Sequence, residues 1–499
     1  VRKFLALILI IGLIIIPMPL VAAPLGFSGG VNDEYEYSEV IFISGEPIKM
    51  TGTYTKNERM RGEEKSINYR FNLSAEDRSI DASLDRRATY TITYKEHSDK
   101  GQTIADTEAT TMRETINIGS DRYVLDDYQF SKSEVIDNRP AADFYSGTLN
   151  ARKTYDINRG EGRAVIETSG GTVGYENFWG STETQIIDYI VNVEREIEGE
   201  DDEDEGQTVK WDGTYNVSVS DSMSKSIRYS DNQATHSTFD GGHMRVTNSE
   251  MVSRYEYNLP RMNDNIPNNN SRIRGEIELD KQKLPKIERL ILPKFRDIGG
   301  HWAEEDIKKL YSLDVFKDDS QFFLPDVPMS RMDFTRAIIR SCDIEIEDPE
   351  ENTRFRRQEE PEESPFVDIQ TEDSNYLYVR EALNRGIING VSEERFDPDG
   401  ELTRAQAIVI LIRVLGFEHN APTPGYYTNF NDDAHIPDWA KDSIYVASEI
   451  GLVQGDSNNR INPNQTMTRA EASTMIIRFL NFLESDLQQD YREQIILYN

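Results

Sequence analysis

The chain has 499 residues, with 55 lysines and arginines against 89 aspartates and glutamates and a formal charge of −34. That length accommodates two or more domains with full cores. The acidity argues against a nucleic-acid partner, which needs a basic footprint, and reads as a solvated acidic surface.

At the start, Arg2-Lys3 precedes an apolar run from Phe4 to Ile16, which Pro17-Met18-Pro19 breaks before the small residues Val21-Ala22-Ala23. Residues 1–23 are expected to be a secretory signal peptide, with an uncleaved anchor as the alternative; the run is short for a bilayer span. From about 31 to 290 the pattern has period two. Ser66 to Leu73, Ala88 to Tyr94, Thr214 to Val219 and Arg272 to Leu279 alternate polar and apolar residues. Such alternation predicts half-buried antiparallel strands, and an all-β, sandwich-like ectodomain over 24–284. The acidic run at 199–206 is expected to be a solvated loop. Gly52-Thr53-Tyr54 with Lys65 to Tyr69 echoes Gly213-Thr214-Tyr215 with Lys225 to Tyr229, which leaves open two similar β units or a chance match. Residues 260–272 read as a loop, 285–294 as a linker, and the glutamate- and proline-rich 344–365 as an acidic connector.

Beyond residue 295 the periodicity becomes helical. Ala405, Ile408, Leu411, Ile412 and Leu415 share one face, as do Ala472, Met475, Ile476, Phe479 and Leu480. The single cysteine, Cys342, rules out an internal disulfide. Following Phe334, Ala337 and Ile338 at helical spacing, it reads as a core thiol.

A segment recurs three times here: Ser330-Arg331-Met332-Asp333, Thr403-Arg404-Ala405-Gln406 and Thr468-Arg469-Ala470-Glu471. Pro325, Pro398 and Pro463 precede these at a fixed distance. Asp314, Gly386 and Gly451 come earlier, and Trp302, Ser374 and Trp439 earlier still. Fixed register over three copies marks a repeat array, in which each unit is a helix, a Gly/Pro loop and a second helix. The hydroxyl and the acid or amide three residues on form a capping box. The arginine between them sits at the positive end of the helix dipole, where capping does not ask for it. Beside free backbone amides it makes an anion site able to grip a carboxylate, unless it merely pairs with an acidic neighbouring repeat. Trp302 and Trp439 either stack on a sugar ring or cover the core.

These motifs resemble the S-layer homology (SLH) family. Phe295-Arg296-Asp297, Phe366-Val367-Asp368 and Phe430-Asn431-Asp432 match its aromatic-x-Asp opening. Trp302-Ala303 and Trp439-Ala440 match its helix start, and Gly386 to Gly390 and Gly451 to Gly455 its glycine step. Repeats are placed at 295–343, 366–418 and 429–483, with a tail at 484–499. The resemblance implies an all-α pseudo-threefold bundle whose grooves bind secondary cell-wall polysaccharide, commonly pyruvylated, or a peptidoglycan-linked polymer. It implies wall-polymer contacts at Arg331, Arg404, Arg469, Trp302, Trp439, Asp297, Asp368, Asp432, Gly390 and Gly455. Asp314 and Asp318 replace the glycines of the first repeat, and Ser374 the tryptophan of the second. Judged copy by copy, Arg404 and Arg469 therefore rank above Arg331.

No zinc-protease helix occurs, and Gly26 to Gly30 fits Gly-x-Ser-x-Gly without its strand and helix. Asp397 to Glu401 and Asp456 to Asn459 read as turns rather than Ca²⁺ loops. No cofactor, metal or catalytic residue is expected. The expected function is a secreted, non-enzymatic cell-wall or surface-layer protein that displays a β-rich ectodomain and is able to self-associate. The alternative is an SLH-anchored polysaccharide hydrolase.

Overall fold

The computed structural model describes residues 29–197, 207–231, 241–263, 266–292, 294–316, 320–346 and 364–487. The expected signal peptide and acidic loop, much of the connector and most of the tail lie outside them.

The N-terminal region is one continuous antiparallel meander. Its strands are β1 (Val31–Asn32), β2 (Glu36–Ile41), β3 (Ile48–Arg61), β4 (Glu64–Ala75), β5 (Ala82–His97), β6 (Gln102–Ile118) and β7 (Asp121–Asn138). They continue as β8 (Ala142–Ile157), β9 (Gly162–Asn177), β10 (Gly180–Ile197), β11 (Gln207–Ser230), β12 (Gly242–Asn263), β13 (Ile266–Gln282) and β14 (Lys286–Arg289). Each of β1 to β12 pairs with the next, and β14 pairs with β12. The alternation works as expected: Ile67, Tyr69, Phe71 and Leu73 of β4 are buried while their neighbours face water.

The sandwich-like expectation is corrected to a single curled sheet. Short connections keep sequential strands paired, so the apolar face is covered by curvature rather than by a second sheet. The two ends of the sheet meet. Tyr255 Oη of β12 donates to Gly29 O at 2.9 Å, and Lys281 of β13 pairs with Glu36 and Asp33 of the first turn. Inside, Phe42, Tyr189 and Tyr215 stack with ring centroids 4.2 and 4.3 Å apart. The enclosed core also holds charge. Arg86 donates to both Glu39 oxygens at 2.8 Å and to Glu114, which also accepts from Tyr155 and lies 3.3 Å from Lys153. Burial works to raise the Glu114 pKa, but Arg86 and Lys153 hold it at about 2.

Two other expectations change. The 260–272 loop is mostly strand, with the register shifting between Pro260 and Arg261 as the ladder accommodates the proline. The 285–294 linker contains β14. The echoed segments occupy different settings, on β3 and β4 in one case and wholly on β11 in the other.

The C-terminal region is helical: α1 (Glu304–Ser312), α2 (Arg331–Ser341), α3 (Tyr376–Asn384), α4 (Arg404–Leu415), α5 (Asp438–Glu449) and α6 (Arg469–Asn481), then a π-helical turn at Phe482–Asp486. The second helix of each unit packs on the first helix of the next: α2 on α3, α4 on α5, and α6 on α1. At the centre Leu402 N donates to Met329 O, Met467 N to Leu402 O and Met329 N to Met467 O, each at 2.9 Å. This closed ring of backbone hydrogen bonds ties the three units together. Cys342 is a buried core thiol, pushed up to about 12 by that burial. No helix among the described residues is long and apolar enough to cross a membrane.

Sheet and bundle share a core. Trp179, in the β9–β10 turn, is buried within the bundle cluster, and its indole Nε1 donates to Ser341 O at 2.8 Å. Asn177 reaches Leu483 O at 3.3 Å, and Ala141 N donates to Val414 O at 3.1 Å.

Candidate functional site

Two of the three expected capping boxes are complete. Thr403 with Gln406, and Thr468 with Glu471, make both reciprocal bonds. Ser330 accepts from Asp333 N at 3.0 Å, while the shorter Asp333 side chain makes no return bond to the cap amide among the described residues.

The expected cradle of free amides does not form. Arg331 N and Met332 N donate to Gly400 O and Pro398 O of the next unit; Arg404 N and Ala405 N to Gln465 O and Pro463 O; Arg469 N and Ala470 N to Val327 O and Pro325 O. The amides next to the arginines are thus spent on joining units, and only the arginine side chains are left to meet a ligand.

Those side chains also reach into the next unit. Arg331 lies over the Phe396 ring at 4.9 Å and donates to Asn389 O; Arg404 donates to Gln454 O at 3.4 Å; Arg469 lies over Phe323 at 4.5 Å. The three aspartates serve the loops. Asp297 accepts from Phe323 N and Leu324 N, Asp368 from Phe396 N and Asp397 N, and Asp432 from Ile461 N and Asn462 N, at 2.7 to 3.0 Å. Burial works to raise Asp297 and Asp368, but these amides pull both below the usual carboxylate range. They fix the loop in which Leu324, Asp397 and Asn462 take positive φ just before each proline. Asp314 adopts φ +60°, matching Gly386 at +70° and Gly451 at +72°, so the first unit keeps the backbone that its missing glycine would favour. A Cβ on Gly390 would fall 2.2 Å from Ser392 O, and one on Gly455 2.7 Å from the Asn459 side chain.

Trp302 and Trp439 are 66% and 57% exposed, too open to be core covers. Tyr376, near Ser374, is buried instead, and Tyr378 accepts hydrogen bonds from Arg340 at 2.8 and 3.0 Å.

One groove of about 370 Å³ is lined by Arg331 of the first unit, Asn389 to Val391, Gln406 and Arg413 of the second, and Trp439 of the third. The groove is therefore composite, with lining residues from all three units. Arg331 works with the intact Gly390 and Trp439. Arg469 faces the Asp-substituted first unit, and its guanidinium lies 3.4 Å from Asp333. Arg331 is 7% exposed, its Nε makes no hydrogen bond, and no carboxylate lies within ion-pair distance among the described residues. Burial pushes Arg331, Arg404 and Arg413 below the ordinary arginine range, yet a guanidinium stays charged. A desolvated cation short of counter-charge is a site for an anion.

Arg413 was missed from sequence. In the amide orientation that satisfies Asn389, its side-chain oxygen accepts from both Arg413 Nη atoms at 3.2 Å. The signal was present: Arg340, Arg413 and Arg478 each follow the motif arginine by the same interval.

The family model for the S-layer homology domain matches residues 294–335, 365–408 and 429–473. The C-terminal region carries three S-layer homology repeats. The chain is 30% identical over 134 residues to an endoglucanase of Bacillus sp. (strain KSM-635), covering 26% of this chain and 14% of that protein. A cell surface protein of Thermoanaerobacter kivui is 30% identical over 128 residues, covering 26% and 17%. The surface-layer 125 kDa protein of Lysinibacillus sphaericus is 24% identical over 205 residues, covering 40% and 16%. The chain thus spans only a small part of the length of these curated relatives.

Proposed function

We propose that this protein is secreted and held non-covalently on the cell wall by its S-layer homology repeats, which form a pseudo-threefold bundle and display the curled sheet. The ligand is an anionic, pyruvylated secondary cell-wall polysaccharide. The observation that carries this reading is the convergence of Arg331, Arg413 and exposed Trp439 on one groove. A guanidinium pair takes a carboxylate and an indole face takes a sugar ring. Relatives named as surface-layer and cell surface proteins support the location. The reading is non-enzymatic, with the inner face of the described sheet filled mostly by apolar side chains and buried ion pairs. Arg404 and Gly455 occupy the equivalent positions one unit on, where Glu471 faces the arginine.

The test is sedimentation with purified walls. The protein should bind, and binding should be lost after chemical removal of pyruvyl groups and in an Arg331→Gln/Arg404→Gln variant with unchanged circular dichroism. Full retention by that folded variant refutes the assignment.

A further inference from the structure

Glu183 of β10 and Asp221 of β11 stand directly opposite each other in the antiparallel register. Cross-strand partners share a face, with Cβ atoms about 4.5–5.5 Å apart, and both side chains point into the curled sheet, each 5% exposed. Two carboxylates so placed repel if both are charged. The pair sits close to the bundle: Trp179 begins the turn into β10, and Gly180 lies against the Leu483 and Glu484 carbonyls.

The surrounding groups do not neutralise both. Glu183 accepts from Gln185 Nε2 at 2.5 Å and from Tyr145 Oη at 3.3 Å. Lys132 of β7 faces it but pairs with Glu134 at 2.7 Å, adding a further negative charge. On the far side, Lys56 of β3 and Lys283 after β13 face Asp221, and Lys56 pairs with Glu58. The remaining neighbours, Tyr54, Tyr69 and Tyr145, are phenols held protonated by burial.

We propose that Glu183 and Asp221 form a proton-held clasp between β10 and β11. With a proton on the pair the strands are locked above the bundle; loss of that proton leaves two like charges in the sheet interior and loosens this end of the sheet. Burial, then the Glu183 charge, raises Asp221 to about 7, and burial raises Glu183 as well. Both folded values exceed the unfolded ones. The folded state therefore holds the extra proton, and the stability it confers is full below about pH 4 and lost as pH rises to about 7. Lys225, lowered by burial to about 8, and His243, also lowered by burial, act with the opposite sign. The readout must therefore be a difference between variants.

The experiment is urea unfolding of the whole chain from pH 5 to 8.5, followed by fluorescence of the buried Trp179 and Trp211, for wild type and Asp221→Asn. The wild-type-to-variant ratio of unfolding constants should rise by roughly tenfold per pH unit toward pH 7 and then level, the signature of one linked proton. A ratio constant across the range overturns the clasp. Should Asp221→Asn fail to fold, Glu183→Gln carries the same expectation. In wild type, the infrared carbonyl band of a protonated carboxylic acid should fade between pH 6 and about 8; its absence at pH 6 equally overturns the proposal.

Discussion

Arg331 and Arg469 occupy equivalent positions in their repeats, yet their surroundings differ. At Arg331 the residue at the third helical position is neutral Gln406, the glycine is intact and a tryptophan is exposed at the rim. At Arg469 that position is Asp333, already in an ion pair, the first-unit glycines are replaced, and Ser374 stands where the tryptophan belongs. The teaching is that one divergent repeat does not lose one site. Because the Arg331 groove draws on three repeats, the substitutions of the first unit lie beside the arginine of the third rather than beside its own.

Binding of soluble wall-polymer fragments, free of the avidity that masks single sites, separates the two grooves. The largest effect is expected from Arg331→Gln. Loss of a charge-assisted contact costs about 1.5–3 kcal/mol, or roughly 10- to 100-fold in affinity, whereas Arg469→Gln should change affinity less than about twofold. Equal losses from the two variants in titration calorimetry would break the comparison. Next, Trp439→Ala should cost ~1 kcal/mol, about fivefold, and Ser374→Trp should recover part of that in the weaker groove; fluorescence titration reads both. The smallest effect belongs to Asp333→Asn. It removes the partly buried ion pairs of Asp333 with Arg336 and Arg469, worth ~0.2–1 kcal/mol, and takes one carboxylate away from Arg469, so the number of bound fragments should rise while melting temperature falls by only a degree or two. An unchanged stoichiometry would show that Asp333 does not block the groove.

The local parts of this site were legible in the sequence because they are set by local physics. Capping boxes, the turn before each proline and the apolar helix faces depend on residues a few positions apart, and all three repeats state them. What escaped was the closure of the units in a ring. No local pattern says that Arg331 meets Asn389 or that Arg331 N is spent on Gly400 O, so the helix-start amides looked free when they were not. The sheet shows the same division. Alternation told which face of each strand is buried, but alternation is identical in a sandwich and in a curled sheet. Arg86, Glu39 and Glu114 stand inside the sheet, paired by tertiary contacts that no local alternation signals.

The indole of Trp179 joins regions that the chain makes far apart in time. It bonds Ser341, 162 positions later, and the adjacent Asn177 bonds Leu483, 306 positions later. Contacts of such separation carry a loop-closure cost that must be met before they stabilise anything. The lower rim of the sheet therefore waits, during synthesis and export, for the last helix to arrive. In refolding of the whole chain, the Trp179 fluorescence change should lag the helical signal. A protein assembled this way delivers its display region finished only once its anchor is folded.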